Sequence, residues 1–175
     1  MLIAKEKRKT NIIEYLLYMY QVEDTIRACN FDINLIEERV IKQFKVSEKV
    51  TTEIRNWYAD LILMMVQQKL TKSGHLKFLK DLVDDLYALH LKIVQEHLDT
   101  EYLDNYKTAL PNIIALKQKL NKNYRNEVDI CVTGLYALLL LRLQKKEVSG
   151  ETMEAMQTFS NMLAILGSWF LNPGK

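Results

Sequence analysis

Apolar residues recur three and four positions apart along almost the whole chain, the period of an amphipathic helix. Asn11, followed three residues later by Glu14, fits a capping box. Ile12, Leu16, Met19 and Ile26 then keep helical spacing, with Ile13, Leu17 and Tyr20 alongside, to about Cys29. Asn30 stops this helix, and Asp32 caps a short one to about Phe44, marked by Ile33, Ile36, Val40 and Phe44. Ser47 caps the next, with Glu48 in its first turn and Val50, Ile54, Trp57, Leu61, Met64 and Met65 on its buried side, to about Leu70. Ser73-Gly74 breaks the chain, and a helix from His75 to about Leu98 carries Leu79, Leu82, Leu86, Leu89 and Ile93. Asp99 opens a segment that contains Pro111. The proline removes a hydrogen bond and clashes with the preceding turn, which predicts a kink or break near Thr108. Ile113, Leu116 and Leu120 carry the second half of that segment. Beyond the polar stretch Asn121–Asn126, the segment from Glu127 to about Lys146 is apolar on most sides between Val128 and Leu143, and reads as a central, surrounded helix. Ser149 caps a last helix to about Leu171, where Asn172-Pro173-Gly174 ends it.

The fold expected from this pattern is all-α: an up-and-down bundle of about six to seven helices with short loops, as one compact domain over residues 1–175. Composition points the same way. Gly 5 and Pro 2 make 4% of the 175 residues, too few to turn a β-sandwich or barrel every 8–12 positions, and 27 are leucine. A chain of this size buries enough surface to fold without a metal or a disulfide framework.

Charge narrows the partners. Lys+Arg 24 against Asp+Glu 22 gives +2, so no nucleic-acid partner is expected. The most apolar run, Ile130–Leu141, is well short of the roughly 20 residues a membrane span needs. The basic start is followed by an apolar run, Ile12–Tyr20, interrupted by Glu14 and followed by no cleavage site, and so does not read as an export signal. A cytoplasmic location with no membrane association is the expectation, and Cys29 and Cys131 read as buried, reduced core residues. Residues 81–104 carry a net −6 and residues 105–126 a net +5. In a hairpin these would be facing solvated surfaces with weak pairing, or a charged docking surface. Lys5, Lys7, Arg8 and Lys9, interrupted by Glu6, read as a solvated N-terminal arm.

The chain holds no Gly-rich phosphate loop, no nucleophile elbow, no His-Glu-x-x-His and no Cys-x-x-Cys. A ferritin-type centre needs Glu-x-x-His pairs, and none of His75, His90 and His97 has Glu three residues before it. His90 and His97, seven apart, share a helical face and could join Glu14 or Glu23 at a mononuclear metal. The stripe of Leu79, Val83, Leu86, Ile93 and Val94 around His90 argues instead for a hydrogen-bonded core histidine, so neither metal nor cofactor is expected. Glu23, Asp24 and Arg27 lie on or next to the apolar face of the first helix, and Arg142 ends the most apolar one. Charges so close to a core must be paired. With His90 they form either an ion-pair network that fixes helix docking or a polar pocket for a small ligand. Tyr15, Tyr18 and Tyr20 cannot share one face, so at least one is expected to be exposed or at an interface. On the last helix Met162, Ile165 and Trp169 widen the apolar arc past about 100°, which predicts a two-fold dimer through them.

The opening Leu2-Ile3-Ala4-Lys5, Lys7-Arg8, Asn11-Ile12 and Glu14-Tyr15, continuing through Gln21-Val22-Glu23-Asp24, Ile26-Arg27-Ala28 and Asn30-Phe31-Asp32, resembles a family of small Bacteroidetes proteins described as a domain of unknown function. Gly74-His75-Leu76, Leu89-His90-Leu91, Leu110-Pro111 and Leu139–Glu147 are similar as well. The resemblance implies a compact all-helical cytoplasmic protein and brings no activity, cofactor or catalytic residue. The function expected is a non-enzymatic helical protein acting through protein–protein contacts. The alternative is a small-molecule binder or enzyme with a polar pocket between helices. A nucleic-acid regulator using the basic start or residues 107–125 is weaker, because Lys117 and Lys119 lie about 200° apart on the helix.

Overall fold

The computed structural model describes residues 2–120 and 124–173, so residues 121–123 of the polar connection and Gly174 lie outside the described residues. Among the described residues the chain is all-helical without a strand: α1 (Leu2–Thr10), α2 (Ile12–Ala28), α3 (Ile33–Arg39), a 3-10 turn (Ile41–Phe44), α4 (Glu48–Gln67), α5 (Lys77–Glu96), α6 (Thr100–Leu120), α7 (Glu127–Leu143) and α8 (Gly150–Leu171). Among the described residues there are eight α-helices where six to seven are expected. The extra one is α1, whose basic residues read from the sequence as a solvated arm.

The caps explain most boundaries. Asn11 is extended and its side chain accepts from the Glu14 backbone N–H at 3.0 Å, separating α1 from α2 within one residue. Lys7 of α1 pairs with Glu14 of α2 and ties the two helices across that break. Asp32, Asn126 and Ser149 cap α3, α7 and α8 in the same way. Several helices end instead on a residue in the left-handed region: Asn30, Lys69, His97 and Lys145 have φ between 51° and 58°. The segment expected as one helix to Phe44 is split at Val40, whose φ/ψ of −122°/−56° ends α3 before the 3-10 turn. Pro111 does not break α6. Both Pro111 and Lys107, whose carbonyl loses its partner four residues on, are exposed, so water can take the freed acceptor.

The core is one continuous cluster that includes Leu16 and Ile26 of α2, Leu79 and Leu86 of α5, Ile113 of α6, Val128 of α7 and Phe159 and Leu163 of α8. α8 packs against α2, α5, α6 and α7, and so shares the centre with α7. α7 is buried through Leu138, but its last turn emerges and Leu143 is exposed, so it is surrounded over only part of its length. Gly134 lets α7 approach its neighbours: a Cβ there would lie 2.9 Å from Leu116 and 3.2 Å from Phe159. Tyr15 and Tyr20 are both buried and Tyr18 is half-buried, so none of the three is exposed as expected. The reason is α1, which packs against α2 and places Arg8 over the Tyr15 ring at 5.8 Å.

Candidate functional site

The polar residues of α2 close on the connection between α4 and α5. Glu23 is fully buried, yet both carboxylate oxygens are satisfied. His75 Nδ1 donates to one at 2.6 Å, and the Leu76 backbone N–H donates to the other at 2.7 Å. The His75 ring stacks on Tyr20 with centroids 3.5 Å apart, and Tyr20 meets Tyr136 edge-on at 5.5 Å. Arg27 donates to Asp24 at 2.7 Å, to the Leu70 carbonyl at 3.2 Å and to the Gly74 carbonyl. Tyr136 of α7 donates its hydroxyl to the second Asp24 oxygen at 2.6 Å. Burial, and then the Asp24 carboxylate, push the Tyr136 phenol up from its ordinary value, so it stays neutral and donates. Gly74 supplies the φ of +91° that lets the connection turn back toward α2. Glu23 and Arg27 thus clamp a loop some 50 residues away to the core, and Asp24 links Arg27 to Tyr136 of α7.

His90 belongs to a second closed network. It is buried, with Nδ1 2.6 Å from the Tyr102 hydroxyl and Nε2 3.4 Å from Glu127, which also accepts from Tyr106 at 2.9 Å. The hydrogen bond from His90, and then that from Tyr106, hold the Glu127 carboxyl below the usual carboxylate range. Burial pushes the nearby Cys131 thiol up, the opposite of an activated nucleophile. His97 does not join His90: α5 ends at Glu96, and His97 is the exposed left-handed cap beyond it. Among the described residues no three of His, Cys, Asp and Glu come together as metal ligands would. Arg142 is exposed, with Met153 Sδ as its partner at 3.7 Å, and lines a separate depression with Leu17 and Leu135. The five candidate polar residues therefore divide: Glu23, Asp24 and Arg27 act together, while His90 and Arg142 stand elsewhere. His75, Tyr136 and Tyr102, which complete the networks, carry no mark in the sequence that pairs them with residues of other helices.

On α8, Met162 is fully buried within its own chain, because α8 is enclosed by four helices, and offers nothing to a second copy. Ile165 and Trp169 are half-buried, and the Trp169 indole N–H donates to Asp99 at 2.6 Å.

The concave surface lies elsewhere. A cavity of about 630 Å³ opens between α1, the segment after the 3-10 turn, and α4. Its floor is Val50, Ile54 and Trp57 of α4. Phe44 and Val46 close one side, and Ile3 closes another. Ile3, Phe44 and Val46 are among the exposed large apolar side chains of the molecule. Lys5 stands on the α1 wall, and Glu53, Asn56 and Asp60 follow one another along α4. This lining holds none of the five candidate polar residues. The spacing of Val50, Ile54 and Trp57 is legible as a helical face, but the sequence assigns that face to the core.

A family model described as Domain of unknown function (DUF4924) matches residues 1–173. The chain belongs to this family. No curated protein and no solved structure matches it. Among the described residues no helix is long and apolar enough to cross a membrane.

Proposed function

We propose that this DUF4924 protein is a non-enzymatic, single-domain up-and-down helical bundle of the bacterial cytoplasm that acts by docking a partner protein in the α1–α4 groove. The observation that carries the reading is the division of labour among polar groups. Buried Glu23 and His90, with Asp24, Arg27, His75 and Glu127 beside them, are consumed in closed networks, whereas the groove between α1 and α4 is an open apolar cavity with a charged rim. The buried, unpaired Cys29 and Cys131 support a reducing compartment.

The test is purification of the native protein from its host, as wild type and as Trp57→Ala, with identification of what accompanies each. A stoichiometric protein lost on Trp57→Ala and kept on Ile165→Ala supports the reading. A small molecule retained stoichiometrically in place of a protein overturns it in favour of a ligand-binding pocket. A two-fold dimer through α8 is the second reading, favoured by the part-exposed Ile165 and Trp169 beside a depression of about 380 Å³. It predicts twice the 20.6 kDa chain mass in light scattering at tens of micromolar, returning to the chain mass on Ile165→Glu.

A further inference from the structure

The rim of the groove is patterned more specifically than its floor. Glu53 and Asp60 are seven residues apart on α4, which places them on the same helical face about 10.5 Å apart along the axis. Asn56 lies between them on the same ridge. Val50, Ile54 and Trp57 form the parallel apolar ridge at i, i+4 and i+7. Among the described residues the side chains of Glu53, Asn56, Asp60 and Lys5 make no hydrogen bond or ion pair, although Arg55, between Glu53 and Asn56 in sequence, is paired with Glu37 at 2.7 Å. All four rim residues are exposed, while Ile54 beneath them is buried.

A single small amine cannot meet two carboxylates 10.5 Å apart, but a helix lying along α4 can, because its own side chains at i and i+7 repeat the same distance. We propose that the α1–α4 groove takes a basic amphipathic helix of a partner protein, with apolar side chains seated on Val50, Ile54 and Trp57 and two cationic side chains at i and i+7 on Glu53 and Asp60. This rests on the reading that the groove docks a protein, and adds the partner's chemistry. Lys5, on the opposite wall, selects against bases along the far edge of that helix and favours an acid there. The two walls together set the orientation of the helix across the groove. Electrostatic matching of this kind governs specificity and association rate, and is screened by salt.

The experiment uses the whole chain and a fluorescein-labelled designed peptide helix, apolar at i, i+3, i+4 and i+7, with lysines at i and i+7 along one edge. The control peptide carries glutamates at those two positions. Anisotropy titrations at low salt should give saturable binding of the lysine peptide at least tenfold tighter than the glutamate peptide, with the gap closing as salt rises. Glu53→Lys with Asp60→Lys should reverse the preference, and Trp57→Ala should weaken the lysine peptide tenfold or more. The double charge variant alters only exposed side chains, so it keeps the test decisive should Trp57→Ala fold poorly. Absence of saturable binding, or equal affinity for the two peptides, overturns the proposal. So does a chain that dimerises in light scattering and returns to monomer on Trp57→Ala, since a second copy would then fill the groove. Dodecylammonium saturating the groove where the lysine peptide does not would assign it to a small amphiphile. If a native partner depends on Trp57 but neither peptide binds, only the basic-helix assignment falls. If no native partner depends on Trp57, the protein-docking reading itself falls.

Discussion

The α2 clamp and the α1–α4 groove place charged residues beside apolar surface in opposite ways. At the clamp Glu23 has no exposure, and every charged group there, Glu23, Asp24 and Arg27, ends on a donor or acceptor of the same chain. At the groove Glu53 and Asp60 border exposed Phe44 and Val46 and end on solvent. A buried charge must be compensated internally or the fold is lost, whereas an exposed one can wait for a partner at little cost to stability. The chemical type of a side chain is therefore a poor guide to its role. Whether its bonds are closed within the chain is the better one.

The largest effect is expected from Glu23→Leu. It strands the His75 ring nitrogen and the Leu76 N–H, and should cost about 3–5 kcal/mol in a urea unfolding titration. A loss under about 1 kcal/mol would put Glu23 in the same class as the rim acids. Arg27→Ala should cost less, about 1.5–3 kcal/mol by the same measurement. Asp24 keeps Tyr136 and is 44% exposed on its side chain, so water can replace part of what Arg27 supplies.

Acid extends the comparison to the other closed networks. The Tyr102 backbone N–H and then the Trp169 indole hold Asp99 below the usual carboxylate range, and His90 does the same for Glu127. For a lowered folded pKa, the stabilisation is fully present above the unfolded value near 4 and is lost as pH falls through the folded one. Thermal midpoints of the wild type should fall as pH is lowered below about 4. The double variant Asp99→Asn with Glu127→Gln should start lower and fall less steeply over that range. Parallel curves would show that these carboxylates are not held by their partners. The smallest effect is reserved for the rim: Glu53→Lys with Asp60→Lys should shift stability by no more than about 0.5 kcal/mol. A larger loss would mean that the groove acids carry structure as well.

Much of the helix plan is legible in the sequence because caps and periodicity are local. Asn11, Asp32 and Ser149 each bond a backbone N–H two or three residues on, so the signal and its consequence lie within one turn. The same locality misled at two places. The basic residues of α1 mask a helix that Ala4 anchors by burial, and Pro111 sits on an exposed face where its lost hydrogen bond is harmless. For the site, the charge trio on α2 was legible as a group that had to be paired, but its partners were not. His75 is 52 residues from Glu23, and Tyr136 is 112 from Asp24. No spacing rule reaches across helices.

The chain alone carries the class: all-helical, with turn residues too few for sheet and apolar periods long enough for a core. It also determined that Glu23, Asp24 and Arg27 could not stand unpaired at the edge of that core. Which apolar faces are covered is settled by packing between distant helices. Four neighbours enclose α8 and hide Met162, whereas α1 and α4 stand far enough apart to leave Trp57 at the floor of an open groove. The physical reason is that amphipathicity records which face of a helix avoids water, while the covering of that face depends on the packing of helices distant in the chain, which no local pattern encodes.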